Sequence, residues 1–343
     1  MDDLHSNRTV TLAPQSKKRG CGFIAIGISL TLVGLLIFAP LLWPVAPLEN
    51  TAPPASLADA ESRFVEIEGL AIHYRETGSA EATQTLILMH GFGASTFSWR
   101  DQLALLGEEY RVIAFDRPAF GLTERPLPGD FQSDENPYSA QANAEQVIGL
   151  MDALEVEHAV LVAHSAGGAV AVLVADQYPD RVAGLILEAP AVAQARTVPA
   201  PLSALLRSPQ MRRVGPLLVR RIAGSSADNF IRGAYYDPSV VTADVLRGYR
   251  TPLSADNWDR GLWELVAAPR TISAADALGR LSTPTLVIAG KEDTFVPFED
   301  SAAVAEAVSG ATLLALEETG HIPHEERPGE FASAVLTFVR ALP

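Results

Sequence analysis

Ser165, Asp293 and His321 are the residues whose types and spacing could do chemistry. Ser165 lies in VLVAHSAGGAV (160–170), where an apolar run meets a lone serine and breaks into Gly167 and Gly168. This is nearly the elbow G-x-S-x-G, a strained strand-to-helix turn that exposes a nucleophilic serine. Ala163 stands where the first glycine belongs. Strand and helix pass closely at such a turn, so the residues two before and two after the serine must be small. Alanine adds one methyl and Gly167 keeps the other position open. The competing reading of Ser165 is an ordinary helix N-cap.

Asp293 lies in GKEDTFVP (290–297), where a loop carboxylate could orient an imidazole. Glu292 and Glu188 are fallback acids, and any one of the three could be a plain turn residue. His321 lies in ETGHIPHEERP (318–328), directly after Gly320. An imidazole titrates near neutrality, which suits a general base. His324 reads as a residue that caps or packs against the following turn. Upstream, MHGFGAS (89–95) supplies two glycines that let the backbone turn tightly. The amides of Phe92 and Ala166 are the candidate oxyanion donors.

These residues need a frame that gathers them, and the pattern supplies one. Short apolar runs at 85–91, 110–116, 158–164, 182–190, 283–290 and 311–318 read as strands. Helical patterns at 97–109, 139–154, 166–179, 298–309 and 328–342 lie between and after them, and 63–78 reads as a hairpin. Alternation of this kind implies α/β architecture, a mostly parallel sheet with helices on both faces. Ligand sites in such sheets lie beyond the C-terminal strand ends, where all four candidate segments fall. Residues 191 to about 280 break the alternation and read as a helical cap inserted over that edge. Within it, Met211, Val214, Leu218 and Ile222 recur at helical spacing among Arg212, Arg213, Arg220 and Arg221. That stripe reads as packed over the site, with a membrane-surface role as the alternative.

Serine, acid and histidine in that chain order, each just after a strand, resemble the α/β-hydrolase superfamily over residues 63 to 342. The resemblance rests on HGFGAS, FDRPAFGLTERP (115–126), AHSAGG, GKEDTFVP and GHIPHEERP. Within the superfamily the chain is similar to capped serine hydrolases: esterases, monoacylglycerol-lipase-like enzymes and carbon–carbon bond hydrolases of aromatic degradation. The resemblance implies Ser165 as nucleophile, His321 as base, Asp293 as acid, and a structural role for Asp116 and Arg117. A serine nucleophile sets the chain apart from relatives that use aspartate there. His164 before the serine resembles lipases and esterases, whereas carbon–carbon hydrolases often carry asparagine. The expected activity is hydrolysis of a carboxylic ester, small-molecule or lipidic, through an acyl-enzyme, with no metal or organic cofactor. The alternatives are carbon–carbon hydrolysis of ring-fission products and a catalytically inactive, membrane-tethered binding protein.

Composition narrows the partners. The chain has 343 residues, is 48% hydrophobic and carries a formal charge of −15, which argues against nucleic acid. Its single cysteine, Cys21, rules out an intramolecular disulfide. No metal-ligand cluster stands out. Residues 21–43 carry no charge, and Arg8, Lys17, Lys18 and Arg19 precede them. By length and flanking charge they read as a transmembrane signal-anchor rather than a cleaved signal peptide or a buried helix. The expected organisation is a cytoplasmic tail (1–20), the anchor (21–43), a Pro/Ala-rich linker (44–62) and an extracytoplasmic hydrolase domain (63–343). The partners are then a small-molecule or lipid ester and the membrane; the sequence does not give an oligomeric state.

Overall fold

The computed structural model describes residues 19–130, 136–192, 198–269 and 272–343. The chain divides into two compact units, 1–44 and 45–343. The first contains one 24-residue helix, α1 (Arg19–Leu42), with Pro40 in its last turn.

The expected membrane anchor is not upheld. Among the described residues no helix is long and apolar enough to cross a membrane. The expected location, with a cytoplasmic N-terminus and an extracytoplasmic domain, is withdrawn with it.

The second unit is built on an eight-stranded sheet: β1 (Arg63–Ile67), β2 (Leu70–Thr77), β3 (Thr85–Met89), β4 (Arg111–Phe115), β5 (Ala159–His164), β6 (Val182–Glu188), β7 (Thr285–Gly290) and β8 (Thr312–Leu316). Their spatial order is β1-β2-β4-β3-β5-β6-β7-β8. The β1–β2 and β2–β4 pairs are antiparallel, and every pair from β4–β3 to β7–β8 is parallel. The central strands are apolar between their end residues because both faces are covered. Ile87, Met89, Leu161 and Ala163 enter one core. Leu86, Leu88, Val160 and Val162, alternating with them, enter the other. Fully burying one such side chain is worth about 1.5–3 kcal/mol, so the strands that carry the site are held firmly.

Around the sheet run α2 (Arg100–Gly107), α3 (Ala140–Ala153) and α4 (Ala166–Gln177). Between β6 and β7 come α5 (Ala200–Leu206), α6 (Pro209–Gly233), α7 (Ala243–Arg250) and α8 (Trp258–Ala267). After β7 follow α9 (Phe298–Ala307), α10 (Pro323–Glu326) and α11 (Pro328–Arg340).

The β6–β7 insert packs differently from its apolar spacing. Leu218 and Ile222 of α6 are exposed, not packed inward. The face turned to α8 is chosen by charge and close approach. Arg220 donates to the buried Asp259 carboxylate at 2.7 Å, and Arg212 lies 3.2 Å from Glu264. A Cβ on Gly215 would strike Trp263. The segment before β1 is also engaged: Ala52 exchanges backbone hydrogen bonds with Ser254 and Asp256, and Arg220 donates to the Ala46 carbonyl at 2.6 Å.

Candidate active site

Parallel strands end on one edge, and that edge gathers the candidate residues. Ser165 is the single residue between β5 and α4, at φ 50° and ψ −118°, a conformation costly for a non-glycine residue. It is held there by neighbours: its amide donates to the Glu188 carbonyl at 2.9 Å, and its carbonyl accepts from Gly168 and Ala191. Its side chain makes no capping hydrogen bond, so the N-cap reading does not account for it.

The close approach at the elbow falls on Gly167, as spacing suggested, and on Gly91 rather than on position 163. A Cβ on Gly167 would lie 2.7 Å from the Met89 carbonyl oxygen, and one on Gly91 2.7 Å from His164 Nδ1. Those two positions exclude a side chain. The Ala163 methyl sits fully buried in the apolar core, so the departure from glycine is accommodated there.

His321 Nε2 lies 3.0 Å from Ser165 Oγ, and His321 Nδ1 lies 2.8 Å from Asp293 Oδ2. With Nδ1–H donated to the carboxylate, Nε2 presents its lone pair to the hydroxyl. The other Asp293 oxygen accepts from the Phe295 and Val296 amides at 2.8 and 2.9 Å, which fixes the carboxylate. The fallback acids lie elsewhere. Glu292 accepts from the Thr319 amide at 2.9 Å. Glu188 is fully buried and meets His324, not His321, with both oxygens 2.8 Å from Nδ1. His324 stacks on Trp99 at 4.1 Å between centroids instead of capping the next turn.

The loop carrying Phe92 is tied down from behind. His90 Nδ1–H donates to the Gly91 carbonyl at 2.7 Å, and its Nε2 accepts from the Arg117 amide at 3.0 Å. Burial, reinforced by the Arg117 charge, lowers the His90 pKa to about 4, so the ring is neutral. Asp116 accepts from Thr96 and Leu122 amides and pairs with His73 Nδ1 at 2.6 Å. Burial opposes its charge, but the His73 hydrogen bond and the facing histidines outweigh it, and its pKa falls to about 2.

A cavity of about 170 Å³ opens on Ser165 and His321. Phe92, Phe230, Ile231, Phe295, Val296 and Ile322 give it an apolar wall, with no Lys, Arg, Asp or Glu among the described lining residues. No group of His, Cys, Asp and Glu suited to a metal ion occurs among the described residues.

Sequence reasoning missed the contacts that join the insert to the histidine loop. Buried Glu325 accepts from Tyr235 at 2.6 Å, from Arg100 at 2.7 Å and from Tyr249. Glu326 accepts from the Gly320 and Tyr236 amides. The two adjacent acids in HEERP were the available signal; nothing in the sequence ties Tyr235 or Tyr249 to them.

Known proteins share this frame. A 2-hydroxy-6-oxo-6-phenylhexa-2,4-dienoate hydrolase from Comamonas testosteroni is 30% identical over 308 residues, spanning 85% of this chain and 97% of that one. The crystal structure of a hydrolase from Pseudomonas aeruginosa PA01 is 28% identical, with a TM-score of 0.66, covering 83% of this chain and all of its own. A thermophilic esterase from Thermogutta terrifontis is 26% identical, with a TM-score of 0.65, covering 81% and 98%. Residues 84–328 match the family described as alpha/beta hydrolase fold, and the chain belongs to that family.

Proposed function

We propose that this chain is a serine hydrolase that cleaves carboxylic esters with small, uncharged, apolar acyl groups. The observation that supports it is the Ser165–His321–Asp293 hydrogen-bond chain opening on an apolar cavity free of charged side chains. Ser165 Oγ attacks the acyl carbon as His321 Nε2 takes its proton. Asp293 holds the imidazole tautomer and stabilises the cation. The Phe92 and Ala166 amides meet the oxyanion, His321 protonates the leaving alkoxide, and water activated by the same histidine releases the acid. The insert acts as the cap that closes the cavity. At about 170 Å³ the cavity lies below the roughly 300–1,000 Å³ usual for small-molecule sites, which favours short acyl chains over lipidic ones.

The Comamonas testosteroni relative supports a second reading, carbon–carbon bond hydrolysis. Its named dienoate is a carboxylate, whose burial is costly without a cation or several donors. The described cavity wall supplies no cation, which favours the ester.

The test assays the full-length protein and Ser165→Ala with p-nitrophenyl esters from acetate to laurate and with the phenylhexadienoate ring-fission product. Turnover greatest for acetate to hexanoate and lost in Ser165→Ala is expected. Rapid cleavage of the ring-fission product with esters barely touched would replace the ester reading with the carbon–carbon one. Folded protein that neither turns over substrate nor reacts with a fluorophosphonate would move it to a binding role.

A further inference from the structure

A triad needs its base held as well as its base's ring. The Asp293 contact orients the His321 imidazole, but the position of the ring depends on the His321 backbone. That backbone lies three strands from the serine in the sheet, since β6, β7 and β8 follow β5 in order. Small changes in strand spacing would therefore accumulate between nucleophile and base. Two hydrogen bonds bypass the sheet. The His321 amide donates to the Ala234 carbonyl of the insert at 2.7 Å. The His321 carbonyl lies 2.9 Å from Nε2 of His164, the residue immediately before Ser165.

A carbonyl only accepts, so His164 must carry its proton on Nε2 and leave a lone pair on Nδ1. The surroundings fit that tautomer. His164 is buried, and Nδ1 has no hydrogen-bond partner among the described residues. Nδ1 faces Gly91, so it meets no competing donor side chain there. Burial first, then the neighbouring His321 and His324, hold its pKa well below the ordinary histidine value. The ring stays neutral with a single proton, and the carbonyl of His321 claims it.

We propose that His164 is a positioning residue, whose Nε2–H ties the backbone of the base to the nucleophile elbow and so sets the Ser165–His321 distance. The inference rests on the serine-hydrolase reading above. It makes one covalent neighbour of the serine responsible for the placement of a histidine 157 residues away. Its loss should appear in turnover rather than in substrate affinity, because misplacing the base by about 1 Å costs on the order of 100-fold in rate.

The test compares His164→Gln, whose amide nitrogen reaches about as far as imidazole Nε2, with His164→Met, similar in length but without a donor. Cooperative thermal unfolding confirms that each variant is folded, and His164→Asn, too short to reach the carbonyl, replaces Met if that variant is not. The expected result for His164→Met is a kcat lowered about 10- to 100-fold with KM within about threefold, and for His164→Gln recovery to within about fivefold of wild type. In wild type and His164→Gln the downfield proton resonance of His321 Nδ1–H should be sharp, and in His164→Met broadened or absent. A His164→Met kcat within twofold of wild type, or Gln and Met variants impaired alike, overturns the proposal. Wild-type protein without ester turnover counts against the serine-hydrolase reading instead; the proton resonance then decides the His164 inference by itself.

Discussion

Two histidine–carboxylate pairs stand three residues apart on one loop, and by their own geometry they are nearly the same device. His321 meets Asp293 at 2.8 Å, and His324 meets Glu188 at 2.8 Å. Both histidines use Nδ1, and all four residues are buried. They differ in what lies beyond the far nitrogen. Nε2 of His321 faces a strained serine and an open cavity. Nε2 of His324 has no hydrogen-bond partner among the described residues, with Glu325 Oε1 4.0 Å away, and its ring is covered by Trp99 and Phe331. Glu188 also accepts the His324 backbone amide at 2.8 Å, so the second pair fastens the end of β6 to the loop after β8. A dyad is chemically competent only where a third group and a substrate can reach it.

The largest effects should come from breaking the first pair's access to serine. Ser165→Ala and His321→Ala should each lower kcat by about 10⁴- to 10⁶-fold, and the double variant little further, since the groups act as a unit. Asp293→Asn should lose about 10⁴-fold by presenting the wrong tautomer. These are read from kcat with the best ester, alongside unchanged thermal unfolding for Ser165→Ala. A Ser165→Ala variant that keeps more than a hundredth of wild-type turnover would remove the serine from the mechanism.

The same kind of edit at the second pair should strike stability instead. His324→Leu leaves the buried Glu188 carboxylate with only the backbone amide of residue 324, and losing one side chain of a buried charged pair typically costs about 3–5 kcal/mol. Glu188→Gln keeps the shape and a carbonyl acceptor, and should cost less. Denaturant unfolding measures both, and kcat per folded molecule should remain within about tenfold of wild type. Equal losses of kcat at the two pairs, with stability intact, would erase the distinction drawn between them.

Lowering pH separates the site's supports in a defined order. His90 has a folded pKa of about 4 against an ordinary value of 6.5, so the unfolded chain binds its proton first. Stability supplied by neutral His90 is complete above about pH 6.5 and is lost as pH falls toward 4, at most about 3 kcal/mol. The depressed His164 acts in the same direction. Asp116 follows below it: its stabilisation is present above the ordinary carboxylate value of 3.8 and is lost as pH falls toward 2. Urea unfolding at pH 7, 5.5 and 4.5 should show this slope, and His90→Gln should flatten it. A slope unchanged in His90→Gln would assign the acid sensitivity to other groups.

The end of the sheet that carries the candidate site was legible in the sequence because each residue there follows an apolar run ended by glycine or a turn. HGFG, AHSAGG, GKED and ETGH fall after β3, β5, β7 and β8 as the pattern requires. What was hidden is whatever depends on distant partners. His324 looked like a turn residue because Glu188, its partner, lies 136 positions away. The exposed Leu218 and Ile222 looked like a core stripe because periodicity reports spacing and not which face is covered. The charge pairs Arg220–Asp259 and Arg212–Glu264 decide that face, and no local pattern connects them.

The smallest expected effect concerns the residue that first made the elbow look irregular. If glycine at 163 were needed to let strand and helix approach, Ala163→Gly should relieve strain and raise turnover. The packing points the other way. Ala163 pairs with Met89 and Leu187 inside the sheet, its methyl fully buried, while the close approach to the β3 carbonyls is made by Gly167. Ala163→Gly then loses a buried methyl and gains backbone freedom in a strand, costing about 1–2 kcal/mol of stability. Turnover should stay within twofold. A rise of tenfold or more, with Ser165 reacting faster with a fluorophosphonate, would mean that alanine holds the serine away from its best position. The elbow would then be crowded at both 163 and 167 rather than at Gly167 alone.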